Sequence, residues 1–83
     1  MQELVLYDSE GHKIRANILF LHYDLNFQRK YVIYSIDDDI VASAYNYVNN
    51  LCVIDNNLST KEYDMLDEYL NRKLGELNGW ENF

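Results

Sequence analysis

The chain has 83 residues, 48% of them hydrophobic and 14% aromatic, and its 14 Asp and Glu against 7 Lys and Arg give a net charge of −7 at pH 7. One domain spanning 1–83 fits that length, the apolar content excludes a disordered chain, and the negative charge removes the counterion release that drives nucleic-acid binding. With no run of 18 apolar residues and no basic segment leading into a small-residue cleavage site, neither a membrane span nor a signal peptide is expected; the lone Cys52, which has no disulfide partner, agrees with a cytoplasmic location.

The first apolar run, Leu4 to Tyr7, ends at Asp8-Ser9-Glu10-Gly11, where Asp can cap a turn and Gly can adopt positive φ, so a strand and a hairpin turn are predicted. From Lys13 the sequence alternates. Ile14, Ala16, Ile18 and Phe20 are placed on one face with Arg15 and Asn17 on the other, and from Ile18 to Leu21 both faces are apolar. Asp24 to Lys30 reads as the longest connection, held to the body by Leu25 and Phe27. Tyr31 to Ile36 has the β-branched and aromatic density of a central strand, and Asp37-Asp38-Asp39 turns it. A fourth strand, Ile40 to Val48, sets Val41, Tyr45 and Tyr47 against Ala42 and Ala44; Asn49-Asn50 tolerates left-handed geometry, and Leu51 to Ile54 is the fifth strand.

The period then changes. Ser59 and Glu62 have the spacing of a capping box and Leu58 and Tyr63 that of a hydrophobic staple, which starts a helix near residue 60. Tyr63, Leu66, Leu70, Leu74 and Leu77 follow at steps of three and four, and Gly75 or Gly79 supplies a stop, with Arg72 and Lys73 at the C-terminal end of the dipole and Glu68 spaced to pair with Arg72. The predicted fold is α+β: a five-stranded antiparallel β-meander within 3–55, one helix over about 60–75 packed on it, and an aromatic tail over 76–83.

A helix of that length, about 22 Å, shields one face of a five-stranded sheet. Leu19, Leu21, Val32 and Tyr34 lie partly on the other, so either the sheet curls into a small barrel and buries them, the reading favoured here, or they form a docking surface. Trp80 and Phe83 raise the same choice between core and partner.

Chemistry-bearing patterns are few. His22 and Asp24 share a strand face in the manner of a general base and its orienting acid, yet the only thiol sits in the apolar run Leu51 to Ile54, and His22 reads as the solvent end of its strand. His12 flanks a turn. Asp37-Asp38-Asp39 lacks the alternating acidic positions, Gly and distal Glu of a calcium loop and reads as a solvated turn. Phosphate-binding glycine loops, zinc spacings and nucleophile elbows are missing, so catalytic residues, metal ligands and a cofactor are not expected.

The order of Leu4-Val5-Leu6-Tyr7-Asp8-Ser9-Glu10-Gly11, Ile18-Leu19-Phe20, Lys30-Tyr31-Val32-Ile33-Tyr34, Ala42-Ser43-Ala44-Tyr45, Leu51 with Ile54, and Glu62-Tyr63-Asp64 resembles the YrzB-like family of small acidic bacterial proteins. That family is of uncharacterised function, so the resemblance implies no catalytic residues. Here the acidic stretch is cut to Asp37-Asp38-Asp39 and Val53 stands where a proline is usual.

The function expected is a non-enzymatic cytosolic interaction module that docks an acidic, aromatic-containing surface on a larger protein assembly with a basic surface, by way of Leu19, Leu21, Tyr34, Asp37, Asp38, Asp39, Trp80 and Phe83. Direct nucleic-acid binding and membrane association are not expected, and a homodimer is left open. The alternative is a nucleic-acid mimic that inhibits a DNA- or RNA-processing enzyme, with Asp8 and Glu10 joining the aspartates of the other turn; a hydrolase using His22 and Asp24 is the third reading.

Overall fold

Five strands in sequence order, β1 (Gln2–Tyr7), β2 (Lys13–Asp24), β3 (Arg29–Ile36), β4 (Asp39–Val48) and β5 (Leu51–Asp55), form an antiparallel meander that closes on itself as a barrel, followed by α1 (Thr60–Glu81). This is a computed structural model that describes the backbone of residues 2–81 and the side chains of residues 3–76. The first and fifth strands of an antiparallel meander point the same way, so closure needs a parallel pair, and β1 meets β5 in parallel at Tyr7↔Val53. The sheet is therefore mixed and closed, not an open antiparallel one.

The barrel interior takes alternate residues of every strand: Leu6, Ala16, Val32, Tyr34, Cys52 and Ile54, with Leu4, Ile14, Ile18, Ile36, Val41 and Tyr45 packed around them. Tyr34 is 1% exposed and shares a 3.0 Å hydrogen bond with the Ser43 hydroxyl, which also bonds Asn56. Curling thus buries Val32 and Tyr34, and Tyr34 is corrected from candidate partner contact to core.

The predicted phase of β2 breaks at a bulge. Ile18 pairs with Tyr34 and Phe20 with Ile33, leaving Leu19 as an extra, half-buried residue. A single inserted residue flips every later side chain to the opposite face. Phe20 therefore leaves the Ile14–Ala16–Ile18 face and meets Tyr69 of α1 edge-on at 6.2 Å, while Leu21, opposite Val32, turns to the barrel mouth and stays 57% exposed.

Turn chemistry follows local rules. Asn49 and Asn50 take φ of 52° and 65°, the left-handed pair a two-residue hairpin needs. Asp8 accepts the Glu10 and His12 amides at 2.9 and 2.8 Å, which leaves Gly11 at φ 86°. The β2–β3 connection is shorter than expected because β3 begins at Arg29; Phe27 is half-buried against the helix cluster, whereas Leu25 is exposed and pins nothing.

Helix α1 starts as read from the sequence. The Ser59 amide donates to Glu62 Oε1 at 3.0 Å and the Glu62 amide to Ser59 Oγ at 3.1 Å. It does not stop at either glycine. A helical glycine costs about 1 kcal/mol relative to alanine, which a long helix tolerates, so α1 runs through Gly75 and Gly79 to Glu81. Arg72 and Lys73 are consequently mid-helix, Lys73 pairs with Glu76 at 3.6 Å, and Glu68 makes no ion pair with Arg72. The buried stripe is also rotated. Glu62, Leu66 and Tyr69 face the barrel, Leu70 is half-buried, and Tyr63 and Leu74 lie on an exposed flank. The backbones of Leu77 and Trp80 lie in α1, while their side chains and the whole of Phe83 fall outside the described residues.

Candidate functional site

Helix α1 covers the outer face of β3 and β4, where Tyr31, Ala44, Leu58 and Leu66 form a second core with Phe27, Ala42 and Met65. Beside this contact, Ile33, Ile40, Ala42, Tyr63, Leu66 and Leu70 line a groove whose polar member is Asp67. Ile40, 62% exposed, is the first apolar residue after the β3–β4 turn, where Asp37 and Asp38 form the turn, Asp39 opens β4, and all three are exposed. Asp37 adopts φ 53°, a left-handed position that Asp tolerates. The groove lining is apolar apart from Asp67.

The sequence-predicted site residues are not brought together. Asp37, Asp38 and Asp39 precede Ile40 in the chain without lining this groove; Leu21 lies at the barrel mouth, Leu19 at the bulge, Tyr34 inside the barrel, and the Trp80 and Phe83 side chains are outside the described residues. Ile40, Tyr63 and Asp67 were missed as site residues. The apolar side chain directly after the aspartates was the available signal, but only helix placement makes it one wall of a groove.

A polar cluster joins barrel to helix on the other side of this contact. Glu62 Oε2 accepts the Tyr31 hydroxyl at 2.6 Å and Arg29 Nη1 at 2.8 Å, and Arg29 Nη2 reaches Asp55 at 3.1 Å. Burial alone would raise the Glu62 pKa, but the bonds from Tyr31 and Ser59 and the Arg29 charge outweigh it and hold the carboxyl at about 2. Burial, then the Glu62 bond and charge, push the Tyr31 phenol well above its ordinary value. Among the described residues no buried side-chain nitrogen or oxygen lacks a hydrogen-bond partner, which is the pattern of a structural network.

His22 is not the solvent end of its strand. Its ring stacks on Tyr69 at 4.2 Å and Nε2 lies 3.5 Å from Asp24 Oδ1, both side chains being largely covered. No hydroxyl or thiol among the described residues is hydrogen-bonded to it. His12 Nδ1 sits 3.0 Å from Asp8 in an exposed turn, and the His12 amide foremost among the bonds to Asp8 lowers that carboxyl's pKa. The Cys52 thiol is buried and its pKa raised by that burial, against a smaller opposing effect of Lys30. Among the described residues no group of three or more His, Cys, Asp or Glu is placed to hold a metal, and no helix is long and apolar enough to cross a membrane.

Fold and groove together define a small α+β protein: a five-stranded barrel capped on one flank by a helix, with an apolar furrow containing Asp67 between them. Comparison with protein-family models, curated proteins and solved structures finds no match for the chain.

Proposed function

We propose that the protein is a non-enzymatic, cytosolic interaction module whose groove between α1 and β4 receives an apolar segment of a larger protein flanked by basic residues. The observation that carries this reading is the apolar floor of Ile33, Ile40, Ala42 and Leu70 with Asp67 in its lining and the turn of Asp37, Asp38 and Asp39 directly before Ile40 in the chain, at a net charge of −7. Apolar burial supplies affinity in such an arrangement, while the aspartates steer a cationic partner and reject an anionic one. Trp80 and Phe83, whose side chains lie outside the described residues, are kept as proposed partner contacts, and membership of the YrzB-like family remains part of this reading.

The test is capture from the source cell with the tagged protein and with two variants, Ile40→Glu and the triple change Asp37→Asn, Asp38→Asn and Asp39→Asn. A partner retained by the parent protein at low salt, released as salt rises, and lost by both variants is the expected outcome. The reading fails if neither variant alters capture, or if the isolated protein turns over a substrate. Trp80→Ala should weaken the captured complex by more than ~2 kcal/mol, as an interface anchor does.

The nucleic-acid mimic has one observation in its favour: the β1–β2 turn with Asp8 and Glu10 and the β3–β4 turn with Asp37 and Asp38 fall at the same end of a meander. Under that reading DNA displaces the protein from its partner, and Ile40→Glu leaves binding intact.

A further inference from the structure

We infer that a pocket at one mouth of the barrel, built around Lys30, binds the carboxylate group of a monoanionic acid. Tyr23, Gln28, Arg29, Lys30, Tyr45 and Asn46 line it, and none of them is acidic although the chain has 14 Asp and Glu against 7 Lys and Arg. The meander explains the separation. Its β1–β2 and β3–β4 turns, with Asp8, Glu10, Asp37 and Asp38, fall at one end of the barrel. The β2–β3 turn at 25–28 and the β4–β5 turn at Asn49 and Asn50, neither with a charged residue, fall at the other. The pocket lies at that second end, away from the groove beside α1.

Strand register sets the sign of its charge. Lys30 pairs with Tyr23 across β2 and β3, and one step beyond Tyr31↔Ala44 it comes level with Tyr45, so a tyrosine flanks it on each side on one face of the sheet. Its Nζ lies 5.8 and 5.7 Å from the ring centres of Tyr45 and Tyr47. It makes no ion pair among the described residues, and the ring contacts hold the ammonium without neutralising it. The nearby carboxylates belong to the opposite face, where Asp24 stands across from Arg29 and Asp55 across from Ala44. Arg29 is already balanced there, 2.8 Å from Glu62 and 3.1 Å from Asp55. One uncompensated positive charge remains, which matches a monoanion and not a dianion. The cavity holds about 80 Å³, against roughly 30 Å³ for a water molecule in the liquid, so it takes a group of a few non-hydrogen atoms. The amides of Gln28 and Asn46 and the hydroxyls of Tyr23 and Tyr45 are the further donors in the lining, which suits the two oxygens of a carboxylate.

The probes are acetate, a free acid, and N-acetylglycine, which presents the same group at the end of a peptide bond, each titrated into the full chain at constant ionic strength with NMR detection. Saturable shifts are expected at Tyr23, Lys30, Tyr45 and Asn46 with a Kd on the order of millimolar, since the lining is largely open to solvent. The tighter of the two probes assigns the source of the carboxylate. Acetamide, neutral and of the same shape, should bind about tenfold more weakly, and Lys30→Met should abolish that difference. Asn46→Asp, which adds a negative charge at the pocket without altering Lys30, should weaken acetate binding to the same extent while the rest of the spectrum stays unchanged. Absence of saturation at ~50 mM acetate, equal binding of acetamide, acetate binding retained by either variant, or tighter binding of sulfate than of acetate overturns the inference. Ile40→Glu, at the opposite end of the barrel, should leave the titration unchanged, so the pocket and the groove fail or stand separately.

Discussion

Replacing Glu62 by glutamine probes the joint between barrel and helix at its centre. The carboxylate is 6% exposed and takes the Tyr31 hydroxyl and Arg29 on one oxygen and the Ser59 amide on the other. Its pKa falls from the ordinary 4.5 to about 2, which corresponds to about 3 kcal/mol of stability carried by the ionised form. Because the folded value lies below the unfolded one, that contribution is fully present above about pH 4.5 and is lost as pH falls towards 2. Glutamine keeps the shape and one acceptor but turns an amide towards the Arg29 guanidinium. Glu62→Gln should therefore cost about 2–3 kcal/mol at pH 7, a large share of the roughly 4–12 kcal/mol expected for a domain of this size. Urea unfolding followed by far-UV circular dichroism at pH 7, 4, 3 and 2.5 measures it, with the gap between parent and variant narrowing at each step below pH 4. A gap under ~1 kcal/mol at pH 7, or one that does not change with pH, refutes the reasoning.

Leu66→Ala opens a cavity between α1 and the barrel and should cost about 2–5 kcal/mol, while Leu74→Ala, on the exposed flank, should stay within about 0.5 kcal/mol; parallel urea melts compare them. Asn50→Val forces a β-branched residue into φ 65° and should destabilise by about 1–2 kcal/mol, whereas Asn50→Gly should be close to neutral. Ser59→Ala removes one half of the capping box and should cost about 1 kcal/mol, read as a lower melting temperature with the helix content of the folded state unchanged.

Features governed by neighbours in the chain are legible in the amino-acid sequence alone. Ser59 and Glu62 declare the helix start because a capping box needs only four consecutive residues, and Asn49-Asn50 declares a hairpin because positive φ is a property of those two residues. The alternation of Val41 and Tyr45 against Ala42 and Ala44 likewise survives folding, since a strand's two faces follow from its own geometry. The aspartates before Ile40 are visible for the same reason, as an unbroken run at a turn.

Other features depend on segments far apart in the sequence. Whether the meander closes is settled at Tyr7 and Val53, and the bulge at Leu19 that sends Phe20 to the helix shifts the β2–β3 register by one residue, which hydropathy alternation alone does not signal. The leucine stripe at 66, 70, 74 and 77 suggests which way α1 faces, but its rotation is decided by Glu62, buried because Tyr31 and Arg29, 31 and 33 residues away, satisfy its charge. A carboxylate looks like surface until its partners are known, because burying a charge is costly alone and permitted once it is paired. The groove follows from that rotation: turning α1 to bury Glu62 and Tyr69 leaves Tyr63 beside Ile40, so its position is a tertiary outcome that no local pattern contains.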